Sequence, residues 1–291
     1  MDGEQVSRAP TARAAGVITI LDGRMVNRMG FGAMRITGPG IWGEPSDADE
    51  CRRVLRRAIE LGVNFIDTAD SYGPEVSERL IGETLYPYPE DLVIATKGGL
   101  LRPGPSQWEP DGRPEHLRAA CEGSLRRLRV ETIDLYQFHR PDPRVPFEES
   151  VGTLVNLRNE GKVRAVGLSN VTLEQLGVAQ GMTDIVSVQN RYNVGDRQSE
   201  AVLDECSELG IAFLPWAPLS GGQLDTESSR VRDLARRKGV DPAQLALAWL
   251  LRRSPVMLPI PGTARVEHLE ENVAAAAIEL DEQETRSLIE A

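Results

Sequence analysis

Ser46-Asp47-Ala48-Asp49-Glu50-Cys51-Arg52-Arg53-Val54-Leu55-Arg56-Arg57-Ala58-Ile59-Glu60-Leu61-Gly62-Val63-Asn64-Phe65-Ile66-Asp67 reads as a helix, a stop and a strand. Val54, Leu55, Ala58 and Ile59 recur at the spacing of one helical face. Ser46 is placed to cap the helix, with Asp49 at its third position, and acids there complement the helix dipole. Gly62, free to take positive φ, ends it. The apolar run Val63–Ile66 follows as a strand and delivers Asp67 at its C-terminal end.

The same grammar recurs outward from this unit. Apolar runs at Gly30–Ala33, Val63–Ile66, Leu92–Ala95, Ile133–Phe138, Val163–Leu168, Ile185–Val188, Ile211–Leu214 and Val256–Ile260 make eight candidate strands. Helical stretches lie between them, at Pro114–Leu128, Phe147–Glu160 and Glu200–Leu209, and Gly161, Gly210 and Gly239 each close a helix. A hairpin precedes the first unit, with Val17-Ile18-Thr19-Ile20 turning at Asp22-Gly23 into Arg24-Met25-Val26. Eight β-then-α units in 291 residues predict an α/β chain folded as a (β/α)8 TIM barrel with an N-terminal β-hairpin. A doubly wound open sheet is the alternative. No Pro/Ser/Gly-rich linker divides the chain, so residues 16–291 are expected to form one catalytic domain behind a flexible tail at 1–15.

The charge balance, 33 basic against 44 acidic residues for a net of −11, argues against a nucleic-acid partner. It leaves room for an anionic small ligand held by a local Lys or Arg. No apolar run approaches the roughly 20 residues that span a bilayer, and the start has no apolar secretion segment. Cys51, Cys121 and Cys206 are far apart and outside any CxxC or His/Cys metal spacing. They read as small core residues of a cytoplasmic protein.

In such barrels chemistry gathers at the C-terminal ends of the strands. The residues following the apolar runs are Asp67 (with Tyr72 in its loop), Lys97, His139, Ser169-Asn170, Gln189-Asn190, Trp216 and Gly262-Thr263. An Asp, a Tyr, a Lys and a His at one mouth form a coherent acid–base set. A free tyrosine, with a pKa near ~10, donates poorly at neutral pH, whereas a neighbouring Lys⁺ lowers that value. Asp67 would hold the ammonium, and His139 would orient a carbonyl oxygen. Taken singly, each has a plainer reading as a loop cap, a packing residue, an ion-pair partner or a core imidazole. Four at one mouth favour protonation of an oxygen that gains charge as hydride reaches its carbon.

These residues also carry a family likeness. Phe65-Ile66-Asp67-Thr68-Ala69-Asp70-Ser71-Tyr72-Gly73 resembles the aldo-keto reductase motif, in which Asp and Tyr stand five apart. Ala95-Thr96-Lys97 and Asp134-Leu135-Tyr136-Gln137-Phe138-His139 resemble that family's lysine and histidine segments. Gly161-Lys162-Val163-Arg164 with Gly167-Leu168-Ser169-Asn170 is similar to its strand-five motif. The likeness runs from Gly30 to Asn272. It implies reduction of aldehydes or ketones with a nicotinamide cofactor, Tyr72 being the general acid, Lys97 its tuner, Asp67 the partner of Lys97 and His139 the substrate-orienting group. It further implies that Ser169, Asn170 and Gln189 hold the nicotinamide carboxamide and that Gly32, Ala33 and Met34 line the cofactor. Trp216 stands where the family usually stacks a tyrosine on the nicotinamide, and Pro218, Leu219 and Gly221 continue that cofactor loop.

The last strand departs from one common family pattern. Ile260-Pro261-Gly262-Thr263 has Gly where many members place a Lys for the 2′-phosphate, and His268 lies where many place an Arg. Glu271 and Asn272 match the adenine-side acid and amide. The Gly-Thr form resembles a bacterial branch that commonly uses NADPH, which points to NADPH, with NADH as the alternative. Arg265, Thr263 and the amides at the following helix start would then bind the phosphate.

Gly38-Pro39-Gly40-Ile41-Trp42-Gly43 spells GxGxxG, but Pro45 and Ser46 follow where a dinucleotide fingerprint needs helix. It reads as a loop whose Trp42, with Trp108, walls a substrate pocket. A metal-dependent hydrolase would need more His or carboxylate strand-end ligands than His139 and Asp67 supply, so no metal is expected. A redox-sensing cofactor-binding subunit would keep the same four residues and is the rival to an enzyme. The chain stops soon after a last helix at Asp281–Glu290, which predicts an open pocket for aromatic or medium-sized aldehydes, pyridoxal among them, on a monomer or weak homo-oligomer.

Overall fold

The computed structural model describes residues 10–21, 23–219 and 229–289. Strands β3 (Phe31–Gly32), β4 (Phe65–Asp67), β5 (Val93–Gly98), β8 (Ile133–Phe138), β9 (Val163–Ser169), β10 (Ile185–Gln189) and β11 (Ala212–Phe213) form one parallel sheet whose spatial order follows the chain. Parallel neighbours need crossovers, and helices supply them. These are α1 (Ala48–Glu60), α2 (Val76–Leu85), α3 (Pro114–Leu128), α4 (Phe147–Asn159), α5 (Leu173–Gln180) and α6 (Glu200–Leu209). Helices α7 (Ser229–Lys238), α8 (Pro242–Arg253), α9 (Val266–Ala274) and α10 (Glu282–Ser287) complete the described set. The strands are largely buried on both faces because one faces the barrel interior and the other its helix. The result is a (β/α)8 barrel.

The eighth strand expected at Val256–Ile260 is in its place but is not a regular strand. Phe213 donates its N–H to Val256 O, and Leu258 donates back to Phe213 O, both at 2.9 Å. On the other side Gly30 N–H reaches Pro259 O at 2.9 Å and Gly32 N–H reaches Pro261 O at 3.3 Å. Pro259 and Pro261 have no N–H to return, so the segment closes the barrel as an acceptor rather than as half of a ladder. The seam is tight. A Cβ on Gly32 would stand 2.5 Å from Ile260 O, and one on Gly262 would stand 2.4 Å from Gly32 O.

Helix boundaries follow local chemistry. α1 is capped by Asp47 rather than Ser46: the helix begins at Ala48, so its third amide is Glu50 N–H, which donates to Asp47 Oδ1 at 2.8 Å. Its inward face is Cys51, Val54, Leu55 and Ala58, each fully buried side chain of leucine size contributing about 1.5–3 kcal/mol. α3 and α6 span the expected residues, α4 ends one residue early, and α10 is shorter than expected. Gly62 and Gly210 end their helices at φ 79° and 70°.

Strands β1 (Val17–Leu21) and β2 (Arg24–Asn27) pair as the expected antiparallel hairpin, though Asp22 of its turn lies outside the described residues. Asn64 binds this hairpin to the N-terminal end of the barrel, accepting from Asn27 N–H at 2.8 Å and donating to Met25 O at 3.1 Å. Of the segment expected to be a flexible tail, Ala12–Ala15 is a packed 3-10 turn, with Ala12 buried and its N–H on Leu61 O at 2.9 Å. The three cysteines are free and buried. Burial pushes the Cys121 and Cys206 thiols up to about 12, which leaves them inert.

Candidate active site

Three neighbouring strands, β4, β5 and β8, deliver the charged and polar groups to the same end of the barrel. Parallel pairing sets Asp67 beside Ala95 and Lys97 beside Gln137, and β8 runs on directly into His139. Tyr72 is brought over them by a tight turn closed by Tyr72 N–H on Ala69 O at 3.2 Å.

Lys97 is completely buried and spends all three ammonium donors. Nζ donates to Asp67 Oδ2 at 2.7 Å, to Thr68 O at 2.8 Å and to Tyr72 Oη at 3.2 Å. Asp67 is equally saturated, its Oδ1 accepting from Gln137 Nε2 at 3.0 Å and Gln189 Nε2 at 2.8 Å. A buried ion pair survives desolvation only when its remaining lone pairs and protons are satisfied, and here they are. Because Lys97 donates to Tyr72 Oη, the phenol's own proton is left to point elsewhere.

Burial raises the Tyr72 pKa above its ordinary value; Lys97 pulls it down, and Asp67 and Asp70 push it back up. The net direction is upward, opposite to the expectation from the lysine alone, because the sequence does not show how dry the site is. Burial also opposes the Lys97 charge, but Asp67 and Tyr72 together raise its pKa. His139 is driven well below its ordinary pKa by burial, then by Lys97, Arg140 and Arg102, so its ring is neutral. Ser71 Oγ lies 3.3 Å from His139 Nδ1, while Nε2 has no partner among the described residues. The Tyr72 and His139 rings meet edge-on at 5.8 Å.

The remaining expected site residues fall into three groups. Trp108 joins the tetrad, with its ring 6.3 Å from Tyr72 and 6.5 Å from His139, and Trp42 bridges to Gly73 at the same mouth. Asn170, at φ 59°, donates to His139 O at 3.1 Å and Ser169 Oγ at 2.9 Å and accepts from Trp216 Nε1 at 3.0 Å. Its amide therefore fixes the Trp216 ring, while Gln189 Oε1 is left without a described partner. Gly32 and Gly262 are explained by the barrel seam, beside buried Ala33 and Ile260 and half-buried Met34. Pro218 and Leu219 are half-buried, and Gly221 lies outside the described residues.

At the far end, Thr263 Oγ1 accepts from Arg265 N–H at 3.1 Å, and the Arg265 guanidinium is already paired with Glu267 at 2.7 Å. His268 and Glu271 are exposed on α9, and Asn272 is buried there. Among the described residues no three His, Cys, Asp or Glu converge as a metal site, and no helix is long and apolar enough to cross a membrane.

Sequence reasoning missed four residues. Gln137 was detectable as an amide inside the apolar run of β8, two residues before His139 and on the same face. Asp70 beside Tyr72, Arg102 on Trp108 and Arg35, which lines a cavity with Thr37, Glu50 and Val266, gave no signal, because their surroundings form only in the folded chain.

Comparison with known proteins bears on nearly the whole chain. The aldo/keto reductase family model matches residues 28–291. An uncharacterised oxidoreductase of Schizosaccharomyces pombe is 50% identical over 97% of this chain and 92% of its own. Pyridoxine 4-dehydrogenase of Escherichia coli is 43% identical over 89% of this chain and 93% of its own. Among solved structures, the glycerol dehydrogenase of Gluconobacter oxydans superposes with a TM-score of 0.84 at 29% identity, covering 94% of both chains. A Klebsiella pneumoniae aldo-keto reductase in complex with NADPH gives 0.79 at 28%, covering 94% of this chain and 93% of its own. The order of strands, the buried Asp67–Lys97–Tyr72 cluster and these matches agree: the chain belongs to the aldo/keto reductase family.

Proposed function

We infer that the protein reduces aldehydes and ketones to alcohols with NADPH, Tyr72 acting as the general acid. The observation that carries this is the donor count at Lys97: all three of its protons are spent, one on Tyr72 Oη, so the tyrosine's proton is the one left for a substrate oxygen.

The residues present fit a nicotinamide nucleotide. Gln189 Oε1 and the Ser169 hydroxyl offer an acceptor and a donor to a carboxamide, and Asn170 fixes the edge of the Trp216 ring, which has Arg191 over one face and the opposite face for stacking. A cavity of about 750 Å³ bounded by Arg35, Thr37, Glu50 and Val266 leaves room for the adenosine end. The Klebsiella relative's NADPH supports the same cofactor here. When bound, the cofactor supplies hydride to the carbonyl carbon.

The chain's own residues do the rest. Neutral His139 directs Nε2 at the carbonyl oxygen and orients it. As charge grows on that oxygen, Tyr72 gives up its proton, and the Lys97 ammonium stabilises the phenolate left behind. Asp67, held by two glutamines, keeps Lys97 charged and in place. Trp42 and Trp108 wall an aromatic or medium-sized aldehyde, and similarity to pyridoxine 4-dehydrogenase supports pyridoxal as one such substrate. The unpaired cysteines suit a reducing cytoplasm, and a monomer or weak homo-oligomer is expected.

The test follows loss of reduced-nicotinamide absorbance with pyridoxal in wild type and Tyr72→Phe. Removing the acid should lower kcat by about 10²–10⁴-fold while NADPH still binds. A wild type that binds NADPH tightly yet reduces nothing would instead mark a redox-sensing protein.

A further inference from the structure

Outside the tetrad, one side chain gathers the whole substrate mouth. Arg102, directly after β6 (Leu100–Leu101), donates through Nη1 to Ile41 O at 2.7 Å and Ser71 O at 2.8 Å. Its Nη2 reaches Gly40 O at 2.9 Å and its Nε reaches Gln107 O at 2.8 Å. The guanidinium carbon stands 3.7 Å from the Trp108 ring centre and 5.7 Å from that of Trp42.

Those carbonyls come from three loops: the one after β3 that carries Trp42, the one after β4 that carries Tyr72, and the one between β6 and β7 (Glu109–Pro110) that carries Trp108. Backbone contacts tie the same loops, with Ser106 N–H on Gly40 O at 2.9 Å and Gly43 N–H on Gly73 O. Loop carbonyls turned inward need donors, and only a planar guanidinium presents enough of them in one fork. With four of its five N–H groups so used, Arg102 is occupied by the protein and is no docking point for a substrate anion. It lies on Trp108, whose ring meets both Tyr72 and His139 in edge-to-face contact.

We propose that Arg102 is a positioning residue for substrate selection: it stacks Trp108 into a wall against which a neutral, planar aromatic aldehyde packs its ring while its carbonyl reaches Tyr72 and His139. The proposal rests on the reductase reading and adds the side chain that orders its aromatic wall. A small aliphatic aldehyde has no ring to lay on that wall and should not depend on it.

The experiment compares 4-nitrobenzaldehyde with propanal in wild type, Arg102→Met and Arg102→Lys, with NADPH affinity measured alongside by fluorescence. Arg102→Met should raise KM for 4-nitrobenzaldehyde roughly tenfold to a hundredfold more than it raises KM for propanal, any fall in kcat being shared by the two aldehydes and NADPH affinity staying nearly unchanged. Arg102→Lys keeps a cation on Trp108 but loses the fork, and should fall between. Equal losses on the two aldehydes, or no loss on either, would overturn the proposal; if the Met variant fails to fold, the Lys variant decides by the same split. A wild type that reduces neither aldehyde sinks the reductase reading alone. The wall is then judged by quenching of tryptophan emission on 4-nitrobenzaldehyde binding, which Arg102→Met must weaken.

Discussion

Glu50 Oε1 accepts the backbone N–H of Val266 at 2.9 Å, so a carboxylate from α1 already sits on the first turn of α9. That hydrogen bond, and then Arg53, hold the Glu50 pKa below its ordinary value. A helix N-terminus favours an anion, and this is the turn to which the Ile260-Pro261-Gly262-Thr263 motif would bring the cofactor's 2′-phosphate. A 2′-phosphate bound there would compete with Glu50 for the same amide. Nearby, Arg35 lines the same cavity and makes no ion pair or side-chain hydrogen bond among the described residues, whereas Arg265 is spent on Glu267.

Glu50→Gln should accordingly tighten 2′,5′-ADP by about 2–5-fold, the size of one helix-terminus charge effect, while leaving 5′-AMP unchanged. Arg35→Gln should weaken 2′,5′-ADP selectively. Calorimetric titration of both nucleotides decides it. Parallel shifts for the two would show that neither side chain faces the 2′-phosphate.

The Asp67–Lys97 pair should behave as a unit. Lys97→Met leaves a buried carboxylate with only the two glutamines, and Asp67→Asn leaves a buried ammonium facing Thr68 O and the phenol. Removing one partner of such a pair costs about 3–5 kcal/mol. The double variant strands neither charge and should lose well under the sum of the two singles. Urea unfolding of all four proteins measures the coupling; strict additivity would contradict the buried pair.

Asp70 predicts a pH dependence of stability. Burial first, then Glu78, push its carboxyl from the ordinary 3.8 up to about 8, with Arg127 opposing, and its Oδ1 is buried without a partner. The folded pKa is the higher one, so the native state keeps a proton that the unfolded chain releases. Stability from this group is complete below the unfolded pKa, falls as pH rises towards 8, and has no further slope above it. Asp70→Asn should flatten that fall and be the more stable protein at pH 8. Thermal melts of both proteins between pH 4 and 9 test this, and parallel curves would refute it.

What the sequence disclosed and what it hid follow from the range of the interactions. Period-2 and period-3.6 patterns, glycine stops and strand-end residues are local, so seven strands, the main helices and the approach of Asp67, Lys97 and His139 could be read directly. Reading Val256–Ile260 as a regular strand leaves Pro259 and Pro261 unweighed, and the segment's place is fixed by Phe213 and Gly30, far away in sequence. Ser46 and Asp47 are both good caps, and only the start of α1 at Ala48 decides between them. Arg102 was silent because its partners are backbone carbonyls, which have no sequence signature. The upward shift of Tyr72 was silent because it comes from burial by loops that meet over the site.

The closing seam gives the last prediction. Gly32 and Gly262 carry cofactor roles by family likeness, but their geometry already demands glycine. An added Cβ at either would meet a backbone carbonyl at 2.5 Å or 2.4 Å, and neither carbonyl is the movable end of a side chain. Gly262→Ala must therefore push the 256–261 segment away from β3 and lengthen the Gly32 N–H to Pro261 O bond, at 3.3 Å the longest of the four closing bonds. Overpacking of this kind costs about 1–3 kcal/mol, and here it strikes the seam directly. The melting temperature should fall and the Gly32 amide should exchange faster, with the hairpin β1–β2 unaffected. NADPH stabilises the native state only through binding, so a purely structural glycine predicts the same loss with or without the nucleotide. A variant as stable as wild type that binds NADPH poorly would assign Gly262 to the cofactor instead.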